Sequence, residues 1–177
     1  AHLGSFEVPR AVGRGQQGLK VAMMMYEDNA RKINATLEAI NPAATQDIIP
    51  LGRMDSMLQA RDKLDEGYLV GMLADRGLGD DATVDCDFLG KPAPFPLGPF
   101  RMAAMLRRPV FFMTGLYLGG NRYQLHFEPI ADFSQTTREE RDTAIHAAMQ
   151  HYADRLTHYC RLAPYNWFNF FDFWQKK

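Results

Sequence analysis

Three short apolar runs precede residue 76, each separated from the next by a stretch long enough for a helix. This alternation constrains the fold more than any other feature of the chain. Leu19 to Met25 and Tyr68 to Ala74 read as buried strands, and Asp47 to Leu51 as a short one. Glu27 to Ile40 reads as a helix that ends before Pro42. Met54 to Glu66 reads as another, with Met54, Met57, Leu58 and Leu64 over one broad face and Gly67 closing it. Ahead of the first strand, Glu7 to Gln17 can form a short helix that tolerates Pro9 in its first turn and stops at Gly18.

The second half changes character. Thr83 to Leu89 alternates as a strand, Gly90 to Leu97 reads as a proline-rich loop, and Gly98 to Arg107 can be helical. Pro109 to Leu118 and Arg122 to Glu128 flank Gly119-Gly-Asn121, a hairpin turn. Thr137-x-x-Glu140 is a capping box that opens the longest helix, which runs to about Arg161 before Pro164. Strands alternating with helices, then a hairpin, predict an α/β fold: a layered domain with a mixed, largely parallel sheet flanked by helices. No linker or repeat interrupts the chain, so residues 1–177 are expected to form a single domain. The sequence opens at Ala1-His2 without a Met, and the domain is expected to lack an N-terminal segment.

Composition narrows the function classes. A net charge of −1 provides no basic field for nucleic acid. The two cysteines, Cys86 and Cys160, stand far apart with no Cys or His at ligand spacing, so they read as buried thiols of a reducing compartment. No run of about 18 apolar residues is present to span a bilayer, and no signal peptide is visible.

Among the motifs, Gly13-Arg-Gly-Gln-Gln-Gly18 fits the spacing of a dinucleotide fingerprint. That fingerprint needs a strand before it and a helix after it, whereas here a helix precedes and a strand follows, so a glycine-rich turn is the better reading. His2-Leu-Gly-Ser-Phe-Glu7 is more promising. An imidazole can take a proton from a hydroxyl, and a carboxylate can hold its other ring nitrogen protonated. By spacing alone a terminal histidine is more often a surface residue. His146, His151 and His158 lack the i, i+4 spacing of a zinc pair and read as solvated or half-buried, and His126 as packed in a strand. The aromatic tail from Trp167 to Trp174, followed by Lys176 and Lys177, can close the core or lie at a bilayer interface.

His2-Leu-Gly-Ser-Phe-Glu7 resembles the His-x-x-x-x-Asp/Glu motif of the lysophospholipid and glycerophosphate acyltransferase superfamily. It is closest to the form found in the bacterial lipid A biosynthesis lauroyl and myristoyl transferases. Leu64-Asp-Glu-Gly67, Leu69 to Arg76, Phe88-Leu-Gly90, Phe95 to Ala103, Pro109-Val-Phe111 and Pro164-Tyr-Asn-Trp167 resemble the same family in the same order. The resemblance implies an O-acyltransferase. It would move a fatty acyl group from acyl carrier protein or coenzyme A to a hydroxyl of a lipid or glycolipid, with His2 as general base and Glu7 as its orienter. It implies no metal or redox cofactor, and a peripheral place at the cytoplasmic face of the bacterial inner membrane. Arg53, Asp75 and Arg76 follow as substrate-binding residues, since they stand at strand ends as in the family's second and third motifs. Arginines so placed grip phosphate or carboxylate as a fork, although Arg53 and Arg101 can equally form surface salt bridges. Leu-Ala-Asp-Arg76 departs from the Phe-Pro-Glu-Gly of phosphoglycerol acyltransferases, which leaves the acceptor open. Met23 to Met25 and Phe111 to Met113 can line an acyl pocket or fill the core. A hydrolase using the same pair, and a non-catalytic domain that binds lipid or carrier protein, are the alternatives.

Overall fold

The computed structural model describes residues 1–5, 8, 18–26, 47–77, 81–170 and 172–174. The expected helix at Glu27 to Ile40 lies outside the described residues. So does that at Glu7 to Gln17, apart from Val8, which is helical. The chain divides into two compact units, residues 10–73 and residues 1–9 with 74–177.

The first unit holds the parallel pairing. β1 (Val21–Tyr26) lies between β2 (Asp47–Leu51) and β3 (Leu69–Met72), parallel to both. A central parallel strand is covered on both faces, which is why Val21, Ala22, Met23 and Met24 are all buried and the run reads as continuously apolar. Pro50, which lacks an N–H, sits on the edge strand β2. A β-carbon at Gly71 would come within 2.8 Å of the Met23 sulfur, so the bare backbone there lets Met23 lie across β3.

α1 (Ser56–Asp65) follows β2. Its buried residues are Ser56 and Ala60, while Met54, Met57 and Leu58 of the expected apolar face are exposed. The small pair one turn apart lets the helix sit close, and Ser56 Oγ donates to the Pro50 carbonyl at 2.5 Å, tying strand end to helix start. The helix ends as the sequence predicts. Gly67 takes φ 83°, its N–H donates to Leu64 O, and Tyr68 N–H donates to Lys63 O.

The second unit is antiparallel and helical. β4 (Thr83–Phe88) pairs with β5 (Lys91–Pro96) around a turn in which Leu89 and Gly90 both have positive φ. The expected loop at Gly90 to Leu97 is thus largely a strand. Pro92, Pro94 and Pro96 all fall on the same parity, so their missing donors face one edge, and pairing to β4 needs only the N–H groups of Lys91, Ala93 and Phe95. α2 (Gly98–Met105) leads to β6 (Pro109–Tyr117), which pairs with β7 (Tyr123–Asp132). A bulge at Val110/Phe111 accommodates Pro129 in the ladder.

α3 (Arg141–Leu162) follows the capping box, where Thr137 Oγ1 donates to Glu140 Oε2 at 2.8 Å and Glu140 N–H donates back to Thr137 Oγ1. Ile145, Met149, Tyr152, Leu156 and Tyr159 form its buried stripe, packed in the cluster that includes Phe88, Phe95, Phe100, Phe112 and Phe133. The aromatic tail is part core and part surface. Trp167, Phe173 and Trp174 gather round Phe88 with ring centroids 5.1–6.0 Å away, while Phe168 and Phe170 face solvent. Mixed α/β architecture is therefore present; among the described residues the parallel strands are confined to one sheet of three, and the other two sheets are antiparallel hairpins.

Candidate active site

Residues 2–5 run between β6 and the 3-10 turn Pro164–Asn166, and both sides hold them by backbone bonds. Leu3 bridges Trp167 antiparallel, Phe168 N–H donates to His2 O at 2.9 Å, and Gly4 N–H donates to Asn166 O at 2.8 Å. On the other side Ser5 N–H donates to Gly115 O at 2.8 Å, and the buried Thr114 hydroxyl donates to Leu3 O at 2.7 Å. Asn166 also reaches β6, where its Oδ1 accepts from Tyr117 N–H at 2.7 Å. Gly4 has φ 65°, and a β-carbon there would collide with the Gly115 carbonyl. Only glycine lets the segment cross β6 at this distance.

This anchoring presents His2 to the chain that follows β3. Ala74 and Asp75 are buried, with Asp75 only 1 % exposed. The His2 backbone N–H donates to Asp75 Oδ2 at 2.8 Å, and the His2 ring Nδ1 stands 3.0 Å from Oδ1 and 3.1 Å from Oδ2. The other ring nitrogen, Nε2, lies 2.7 Å from Arg76 Nη2. Burial by itself would push the Asp75 carboxyl up. The hydrogen bonds from the His2 ring and the His2 backbone N–H act against burial, and the carboxyl stands below the usual range. Asp75 is therefore an ionised carboxylate at neutral pH.

The groups around Asp75 feel its charge. Burial, and then Asp75, pushes the Cys160 thiol up to about 12, and the same two causes in the same order raise the Tyr152 phenol. Burial also pushes Cys86 up to about 11, so both cysteines are the protonated, buried thiols expected.

Asp75 and Arg76 thus meet His2. Glu7 lies outside the described residues. Arg53 belongs to the other unit, where its side chain is exposed and its Nε donates to Asp55 Oδ1 at 3.4 Å. Arg101 is exposed on α2. His151 Nδ1 donates to the Ile130 carbonyl at 3.0 Å, His126 packs on the Tyr159 ring, and His146 and His158 are exposed. Among the described residues no three His, Cys, Asp or Glu side chains converge as a metal site, and no helix is long and apolar enough to cross a membrane. Sequence reasoning did not single out Thr114, Gly115 or Asn166, the residues that hold the histidine loop. Asn166 alone carried a signal, in the segment Pro164-Tyr-Asn-Trp167.

A sequence model of the family described as bacterial lipid A biosynthesis acyltransferase matches residues 1–176. No curated protein matches the chain.

Proposed function

Because the chain belongs to the bacterial lipid A biosynthesis acyltransferase family, we propose that it carries a fatty acyl group from acyl carrier protein or coenzyme A to a hydroxyl of a lipid or glycolipid acceptor, with His2 as general base. The acceptor O–H gives its proton to His2 Nε2, and its oxygen attacks the thioester carbonyl carbon. The tetrahedral intermediate then expels the thiolate, which takes the proton back from His2 and leaves as thiol. The reading uses no metal or redox cofactor, and the thioester is a substrate.

The observation that carries it is the His2 ring, held by a pinned backbone with one nitrogen on a buried carboxylate. Arg53 and Arg76 are the proposed grips for an anionic group of the acceptor or of the donor's phosphopantetheine. Glu7 stands in the reading as the orienter that the family motif supplies. Both compact units belong to one catalytic domain here, since the family match spans them. The work takes place at the cytoplasmic face of the bacterial inner membrane, on which the protein sits peripherally.

Incubation with labelled acyl-carrier protein or acyl-coenzyme A, with and without lipid acceptors, tests the reading. Acceptor-dependent transfer is the expected result. Free fatty acid alone would make the chain a hydrolase, and binding without turnover would make it a non-catalytic binding domain. His2→Ala should lower turnover about a hundred- to ten-thousand-fold with acceptor binding largely kept. A near wild-type rate in that variant would remove His2 from the chemistry.

A further inference from the structure

An antiparallel hairpin that packs one face on a helix ordinarily turns a polar face to water. β6 and β7 do the opposite. One parity of the ladder faces α3. Phe112 stacks on Tyr159 at 5.5 Å, His126 lies on the same ring, and Glu128 accepts two bonds from Arg155 and one from Tyr159. The other parity pairs Phe111 with Pro129, Met113 with Phe127, Gly115 with Leu125 and Tyr117 with Tyr123, and it holds no charged residue. Phe111, Tyr117, Tyr123, Leu125 and Phe127 are each at least 40 % exposed. Their rings are ordered as well: Phe111 and Phe127 stack at 4.7 Å, and Tyr117 meets Tyr123 at 5.4 Å. The strip runs the length of the nine-residue β6, about 30 Å.

Cations bound this strip at both ends. Arg107 precedes β6 and Arg122 closes the turn into β7, and both are exposed, as is Arg101 on α2. From Phe88 to Phe127 the sequence carries Lys91, Arg101, Arg107, Arg108 and Arg122 with no aspartate or glutamate, although the whole chain has a net charge of −1. An uncharged aromatic strip between arginines has the chemistry of a bilayer interface, where rings settle at headgroup depth and cations meet anionic headgroups. Charge alone would also suit an acidic protein; the long uncharged strip between the cations favours an apolar surface. The catalytic loop is attached to the same hairpin. Ser5 N–H donates to Gly115 O, which bonds the segment carrying His2 to β6 within the length of the strip.

We propose that this face of the hairpin, with Arg107 and Arg122 at its ends, seats the protein on an anionic phospholipid bilayer. The inference rests on the lipid-acceptor reading above and deepens it, since it sets the base beside the phase in which such an acceptor resides.

Sedimentation of the full chain with vesicles tests this, using phosphatidylglycerol mixed with phosphatidylethanolamine against phosphatidylcholine alone. Wild type should bind the anionic vesicles more tightly, and less so as salt rises. Phe111→Ser with Phe127→Ser, both at exposed positions, should weaken that binding about tenfold or more with Tm unchanged. Arg107→Gln with Arg122→Gln should cost about fivefold per residue on anionic vesicles and nothing on phosphatidylcholine. A polarity-sensitive dye on Leu125→Cys should shift to the blue when anionic vesicles are added; Cys86 and Cys160 are buried, which confines labelling to position 125. Absence of vesicle binding by wild type, undiminished binding in both double variants, or a dye that stays in water while the protein binds would overturn the proposal. So would binding of acyl carrier protein, or self-association, that these substitutions abolish while vesicle binding persists. Acyl transfer to an acceptor dispersed in detergent micelles separates the two readings, and there the variants should keep the wild-type kcat. A chain that binds vesicles through this face yet transfers no acyl group refutes the enzymatic reading and leaves the docking surface standing; transfer without vesicle binding does the reverse.

Discussion

Replacing Gly4 with alanine tests whether the histidine loop is held as tightly as its bonds suggest. The residue sits at φ 65°, where a side chain costs about 1–2 kcal/mol. The new methyl would also meet the Gly115 carbonyl, with the Gly115 carbon at 2.9 Å and Thr114 Oγ1 at 3.1 Å, and neither backbone nor buried hydroxyl can swing aside. Relief requires the segment to lift from β6, which breaks Ser5 N–H to Gly115 O and strains the Thr114 bond to Leu3 O. Each such bond contributes about 0.5–1.5 kcal/mol net. Alanine returns about 0.4–1 kcal/mol by stiffening the unfolded chain. The balance is a destabilisation of about 2–4 kcal/mol. If the segment unfolds with its unit, Tm falls by about 5–15 °C. If it detaches alone, Tm holds, the Gly4 and Ser5 amides lose hydrogen-exchange protection, and acyl transfer collapses because His2 leaves Asp75. Thermal unfolding and amide exchange measured on the same sample distinguish these outcomes. Unchanged Tm together with unchanged protection would refute the close approach at Gly115.

Further expectations follow from the same contacts. Thr114→Val keeps the shape but leaves the Leu3 carbonyl without its donor, so stability should fall by about 1–3 kcal/mol in denaturant titration, and a neutral result would show that water replaces the hydroxyl. Phe88→Ala should cost about 3–5 kcal/mol and, because the chain's two tryptophans both pack on that ring, should shift tryptophan emission in the folded state; emission identical to wild type would place Trp167 and Trp174 elsewhere. The Asp75 carboxyl is lowered in the folded protein, so its stabilisation is complete above the ordinary aspartate pKa of about 3.9 and is lost as pH falls toward the lower folded value. The Tm advantage of wild type over Asp75→Asn should therefore hold at neutral pH and shrink below about pH 4, and an advantage constant through that range would mean Asp75 is not ionised.

Local chemistry in the sequence determined the individual elements. The continuous apolar run of β1 is what a doubly covered parallel strand demands, Gly67 stops α1 because it alone reaches positive φ freely, and Thr137 with Glu140 opens α3 by reciprocal bonds three residues apart. Membership of the acyltransferase family was legible in the same way, through motifs whose order survives in one chain. Other features depended on partners distant in sequence. Pro92, Pro94 and Pro96 argue against a strand until β4 supplies a ladder on the edge that needs no proline donor. The hydrophobic residues of α1 suggested a broad apolar face, yet Ser56 and Ala60 are the ones buried, because close approach favours small side chains over large ones. A carboxylate at the His2 ring comes from 73 residues away, a pairing that no spacing within one segment can indicate. Which acid reaches a histidine is set by where Thr114, Gly115 and Asn166 hold its loop, and those long-range bonds exist only once the chain has folded.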